Sequence, residues 1–223
     1  MNDVERSFDA VLFDFGGVFI DSPFAVAGAA AAELGLESDA LMGIVFGPYD
    51  RDTDHPWHQL ERGELSFDDA RAAIRRLSLE QGEIDLDPIA VLGQLASDGG
   101  GVREFMVELV RDVRSSGLRT GVVTNNIAEF GNYWREMIPL DELFDDVVDS
   151  SAVGLRKPDP AIYRLACERL SVEPSRTVFV DDYDGNIVGA EAVGMSGISC
   201  GWSRETSAAA AVSLRALLGL SSR

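Results

Sequence analysis

From residue 102 onward, short apolar runs alternate with segments of helical period, and this alternation narrows the fold more than any other feature. Strand patterns at 119–124, 147–148, 177–180 and 197–200 are separated by helical patterns at 102–115, 127–137, 159–170 and 185–193, with a last helix around the alanines at 208–211. Helices of this length between strands act as right-handed crossovers and lay the strands parallel. An earlier run, Ala10-Val11-Leu12-Phe13, reads as a further short buried strand. The fold class expected is α/β, a three-layer doubly wound parallel sheet.

The stretch from that first strand to about residue 96 has a different character. Amphipathic helical patterns occur at 24–34, 39–46 and 66–77, Ser66 and Asp69 stand at capping-box spacing, and no convincing strand appears. Ser97-Asp98-Gly99-Gly100-Gly101 then reads as a hinge or loop. The expected organisation is a core of residues 1–21 and 97–223, carrying an inserted helical cap at 22–96.

Four segments place chemistry-bearing residues at strand ends, where an open α/β sheet positions its ligands. The first is Asp14-Phe15-Gly16-Gly17-Val18, whose paired glycines allow close approach of an anion to the backbone. The second is Val122-Val123-Thr124-Asn125-Asn126. The third is Gly154-Leu155-Arg156-Lys157-Pro158-Asp159-Pro160, and the fourth is Val178-Phe179-Val180-Asp181-Asp182, running on to Asn186 and Gly189-Ala190. Taken singly each has a plain alternative: a helix-capping turn at Asp14, a solvated Asp-Asp turn, a surface lysine.

In this order and spacing the four segments resemble the motifs of the haloacid dehalogenase-like (HAD) hydrolase superfamily, in a phosphatase-like branch with a helical cap. The likeness extends to sugar-phosphate phosphatases and to the phosphatase-like domain joined to epoxide hydrolases. It covers nearly all of the chain after residue 9 except the region between the first two motifs. The resemblance implies that Asp14 attacks phosphorus to form an acyl phosphate. It also implies a Mg²⁺ site of Asp14, the Gly16 carbonyl, Asp182 and Asp181, an all-oxygen set suited to that ion. Lys157 would neutralise Asp14 and the transferring phosphoryl group, with Thr124 and the Asn125 N–H donating to phosphoryl oxygens. Gly16, Gly17 and Asn126 would line the substrate. Asn186, one helical turn beyond Asp182, would orient a metal ligand or a water. Arg156 reads as a surface residue.

One position departs from the family pattern. Phosphatases of this kind carry an acid/base aspartate two residues after the nucleophile, and here that residue is Gly16. Three accounts are open. Asp21, His55 or His58 could replace the missing acid; the leaving group could be a halide, which needs no proton; or the chain could be a catalytically weak binder of phosphorylated metabolites. The family's dehalogenases need no metal, so the Asp181-Asp182 pair weighs against the second account. His55 and His58 lie in the cap and face either substrate or a polar loop packed around Trp57, and they lack a third nitrogen or sulfur partner for a metal site. Phe130, Tyr133 and Trp134 follow the second motif as packing residues or as a pocket mouth.

Bulk properties bound the partners. The net charge of −19, from 19 basic and 38 acidic residues, argues against nucleic acid and anionic membranes. No apolar run reaches the ~18 residues of a membrane span, and no secretory signal is visible, so a cytoplasmic location is expected. Cys167 and Cys200 match no metal or redox spacing and read as small buried residues. The expected partner is a small phosphorylated metabolite, and the expected assembly a monomer or homodimer.

Overall fold

The computed structural model describes residues 7–22, 31, 35, 37–82, 84–89 and 101–220. Five parallel strands form its sheet: β1 (Ala10–Phe13), β2 (Arg119–Thr124), β3 (Asp146–Asp149), β4 (Thr177–Asp181) and β5 (Ser196–Ser199), in the order β3-β2-β1-β4-β5. In the central β1, Phe13 lies level with Val122 of β2 and Val180 of β4. The chain builds outward from β1 to β3 on one side, then returns to β4 and β5 on the other. The crevice beyond the carboxyl ends of β1 and β4 is therefore a topological switch point.

The helices are α1 (Ser38–Val45), α2 (Pro56–Glu61), α3 (Phe67–Gly82), α4 (Glu104–Ser115), α5 (Leu140–Leu143), α6 (Ser150–Val153), α7 (Pro160–Leu170), α8 (Asp184–Ala192) and α9 (Arg204–Leu218). Alternation along each strand divides the apolar side chains between two layers. Val11, Phe13, Val122, Val178 and Val180 pack with Met106, Val110, Val113 and Leu214 of α4 and α9. Ala10, Leu12, Val123 and Phe179 pack with Ile162, Ala166, Ile187 and Ala190 of α7 and α8. Strands buried on both faces need the continuous apolar runs seen in β1 and β4.

The helices α1 to α3 are inserted between β1 and α4 and have their own buried group: Leu41, Val45, Phe46, Trp57, Leu60, Ala70 and Ile74. Ile127, from the loop after β2, completes that group. Most of the expected helix at 24–34 and of the glycine-rich hinge lies outside the described residues.

The helix expected at 127–137 is absent. Two 3₁₀ turns, Ala128–Phe130 and Trp134–Glu136, stand there, with Gly131 between them at φ +53°. The Gly131-Asn132 pair interrupts the apolar period, and the left-handed glycine ends the first turn. Of the three aromatics there, only Trp134 is buried, its ring edge-on to Phe15 at 4.8 Å, while Phe130 and Tyr133 are exposed. No helix among the described residues is long and apolar enough to cross a membrane.

Candidate active site

Asp14 follows β1 directly, and its N–H donates to the Val180 carbonyl at 2.8 Å, which extends the β1–β4 pairing to the edge of the crevice. Its Oδ1 accepts from the Phe15 N–H at 2.7 Å and lies 2.8 Å from Lys157 Nζ. The same ammonium donates to Asp181 Oδ2 at 2.7 Å. Lys157 has no solvent exposure, and its Nζ also sits 5.5 Å from the centre of the Phe179 ring. Three motifs thus converge on one buried ammonium.

Lys157 is aimed by its main chain. The Asn125 side chain accepts from the Lys157 N–H at 2.7 Å and donates to the Lys157 carbonyl at 3.0 Å. A carboxamide can make both bonds at once to one residue, which ties the loop after β2 to the loop before α7. Asp159 stops that loop by capping α7, accepting from the Ala161 N–H at 2.7 Å, with Pro160 at the first helical position. Thr124 is buried at the end of β2.

The two aspartates at the end of β4 have different surroundings. Asp181 is saturated with donors: Lys157, the Tyr183 N–H at 2.8 Å and the Asn186 amide at 3.0 Å. Asp182 accepts from the Ser22 hydroxyl. Asp14, Asp181 and Asp182 are all buried, and each offers an oxygen within 4.8 Å of the others. Gly17, at φ +71°, makes room for this arrangement, since a Cβ there would stand 2.1 Å from Asp182 Cγ. In this geometry Asp181 accepts from the Lys157 ammonium and from the Asn186 amide.

Three carboxyl groups against one ammonium put two more acids than bases in this buried cluster. Burial pushes the Asp14 carboxyl up to about 7, with Lys157 pulling it down and Asp181 pushing it up. Burial, reinforced by Asp181 and Asp14, raises Asp182 well above the usual carboxylate range. For Lys157, burial disfavours the charged form, but Asp14 and Asp181 outweigh it and hold its pKa above the ordinary value. A divalent cation with oxygen preference matches both the excess of acids and the donor set, so the residues present fit magnesium.

Other candidates are placed elsewhere. The Asn126 amide donates to Asp149 Oδ2 at 2.9 Å, and its N–H to Ser150 Oγ at 2.9 Å, which fastens the β2 loop to the end of β3. His55 caps α2 by accepting from the Trp57 N–H at 3.2 Å, and its other nitrogen lies 3.2 Å from the Ile44 carbonyl. His58 is fully buried and accepts from the Thr53 N–H at 3.1 Å. These bonds lie within the segment between β1 and α4. Asp21 is largely exposed, 3.4 Å from Arg103.

Arg156, expected at the surface, has no solvent exposure. Its Nε donates to Glu61 Oε2 of α2 at 2.7 Å, and its guanidinium lies over the Tyr49 ring at 4.8 Å. Arg103 is a second buried arginine that sequence reasoning did not single out. It donates to the Gly17 carbonyl, to Ser207 Oγ at 2.6 Å and to the Trp202 carbonyl at 3.3 Å. Neither arginine carries a local signal, because their partners are about 90 or more residues away in sequence.

A lysine-bridged carboxylate cluster thus stands at the switch point of a parallel sheet. A haloacid dehalogenase-like hydrolase family model matches residues 8–194, and the chain belongs to that family. Mouse acyl-CoA dehydrogenase family member 10 is 31% identical over 194 residues, covering 85% of this chain but only 18% of that protein. The sesquiterpene phosphatase astK of Aspergillus oryzae is 29% identical over 215 residues, 96% of this chain and 98% of the relative. Among solved structures, a HAD family enzyme from Bacteroides thetaiotaomicron, in complex with magnesium and inorganic phosphate, superposes with a TM-score of 0.58. That match covers 88% of this chain and 96% of the other at 17% identity, a likeness of fold.

Proposed function

We propose that this hydrolase is a Mg²⁺-dependent phosphatase for a small phosphorylated metabolite, working through an aspartyl-phosphate on Asp14. The observation that carries the reading is the Lys157 ammonium held between Asp14 and Asp181, beside Asp182, in a cluster with two more acids than bases. The full-length similarity to a sesquiterpene phosphatase supports phosphoryl chemistry. Residues 22–96 are read as a cap over a core of 1–21 and 97–223, which the separate buried group of α1 to α3 supports.

In this reading one carboxylate oxygen of Asp14 attacks phosphorus while the Lys157 ammonium offsets charge on the reacting oxygens. The Thr124 hydroxyl and the Asn125 N–H donate to phosphoryl oxygens; the Asn125 side chain is already engaged in holding Lys157. Magnesium, held by Asp14, Asp182 and the Gly16 carbonyl, supplies electrostatic stabilisation of the phosphoryl group when bound. Gly16 gives no proton to the leaving oxygen. Aryl esters should therefore outpace alkyl esters, by a factor within the roughly 10²–10⁴ that acid assistance contributes.

The test is Mg²⁺-dependent phosphate release from an aryl and an alkyl phosphate, by wild type and by Asp14→Asn. Wild type is expected to hydrolyse the aryl ester faster and to stop on chelation. Asp14→Asn should lose more than about 10³-fold, as expected for removal of a nucleophile. Halide release from a 2-haloacid that survives chelation, with no phosphate released from either ester, would replace the reading with dehalogenation.

A further inference from the structure

We infer that Tyr49 and Glu61, on the inserted helical segment, are positioning residues that fix Lys157 and Asn125. The argument starts from a cost. Glu61 is 2% exposed at the end of α2, and a carboxylate in such a place must be fully bonded. Its Oε1 accepts from the Tyr49 hydroxyl at 2.7 Å and from the Trp57 indole at 2.8 Å, and its Oε2 accepts from Arg156 Nε at 2.7 Å. Two of these donors lie within the segment, and the third belongs to the residue immediately before Lys157.

The network continues past Glu61. The Tyr49 oxygen also receives the Asn125 amide at 3.4 Å, and that amide makes one of the two bonds to the Lys157 main chain. The lysine loop is thus reached from Glu61 by two routes, one through Arg156 and one through Tyr49 and Asn125. The Tyr49 ring meets the Tyr183 ring edge-on at 5.3 Å, just after the Asp181-Asp182 pair. A Cβ on Gly185 would come within 3.3 Å of Asp50 Cα, so the 49–50 turn lies directly on the start of α8.

A stability role alone would not need this chemistry. Apolar side chains of similar volume often replace a buried ion pair without loss. What a hydrogen-bonded network adds is direction, and a displacement of about 1 Å at reacting groups can cost roughly 100-fold in rate. Tyr49 and Glu61 act through Asn125 and Arg156.

This inference rests on the phosphatase reading for its kinetic arm only. The variants are Tyr49→Phe, which keeps the ring on Arg156 and Tyr183 and removes the hydroxyl, and Glu61→Gln, with Glu80→Gln on the exposed face of α3 as control. The readouts are kcat and KM on an aryl phosphate, the melting temperature, and hydrogen exchange at the Lys157 N–H, which donates to Asn125. Tyr49→Phe should lower kcat roughly 10-fold with KM changed less than about threefold, lower the melting temperature by a few degrees because Glu61 loses one donor, and speed exchange at Lys157. Glu61→Gln should go further on both readouts, and Glu80→Gln should match wild type. If Glu61→Gln fails to fold because Arg156 is left unpaired, Tyr49→Phe decides. A normal kcat and normal Lys157 exchange in folded Tyr49→Phe overturns the inference. If wild type itself releases no phosphate, the phosphatase reading falls separately, and the exchange measurement alone decides this one.

Discussion

At the scale of single residues, the site depends on side chains that water does not reach. Lys157 keeps its charge because Asp14 and Asp181 face it, and Asp181 keeps its orientation because Asn186 and the Tyr183 N–H hold it. His58 behaves in the opposite way. Burial, the Arg156 charge and His55 lower its pKa from 6.5 to about 3, so the ring is neutral, and Asp52 at 3.8 Å is a neighbour without being an ion-pair partner. The sign of its pH effect follows. Above 6.5 neither the folded nor the unfolded ring is charged, and His58 contributes nothing. Below 6.5 the unfolded chain takes the proton and the native state does not, so stability falls as pH drops through the window from 6.5 to about 3. The slope from this one group is at most about 1.4 kcal/mol per pH unit. Denaturant titrations between pH 6.5 and 4.5 should show a shallower slope for His58→Gln than for wild type; equal slopes would remove His58 from the account.

At the scale of elements, Arg103 stands just ahead of α4, where the chain returns from the inserted helices. Its N–H donates to the Phe19 carbonyl at 2.7 Å, and its guanidinium donates to the Gly17 carbonyl. One residue therefore fastens the outgoing crossing at 17–19 to the returning one. Through Ser207 and Trp202 it also fastens both to the start of α9 and the loop before it. The turn it holds carries Gly16 and Gly17, the glycines beside the carboxylates. Arg103→Met keeps the apolar stem but removes the charged donor to the Gly17 carbonyl and Ser207 Oγ, and should cost about 1.5–3 kcal/mol of stability in denaturant unfolding. Arg103→Lys, which retains the charge on a shorter donor, should recover part of that. A cost under about 1 kcal/mol for Arg103→Met would show that water replaces the guanidinium.

At the scale of the whole molecule, the switch point assembles acids that a folded chain would otherwise keep apart. The sheet order puts β1 and β4 side by side, so Asp14 and the Asp181-Asp182 pair meet although they are about 167 residues apart in sequence. Repulsion at that meeting is a standing cost of the fold, and a bound dication would offset it. Magnesium at about 100 times its dissociation constant should raise the unfolding free energy by about 2.7 kcal/mol. Thermal melts with and without Mg²⁺ check this, and Asp182→Asn should lose most of the increment. A stabilisation that persists in Asp182→Asn would place the ion elsewhere on this acidic surface.

The sequence by itself determined β1, β2 and β4 and the helical patterns at 102–115 and 159–170, and it singled out Asp14, Lys157, Asp181 and Asp182 as candidates. Each of those rests on local pattern: uninterrupted apolar runs, helical period, a proline after a capping aspartate, and acids at strand ends. Tertiary structure alone decided that Arg156 is buried against Glu61, that Arg103 clamps the Gly17 turn, that Asn125 grips the Lys157 main chain, and that His55 and His58 bond to Ile44, Thr53 and Trp57. It also decided against a helix at 127–137. A buried charge can be recognised only when its partner is known, and these partners lie dozens of residues away in sequence. Pattern within a short window registers the shape of a segment, but it cannot register which distant carboxylate will meet an arginine once the sheet has formed.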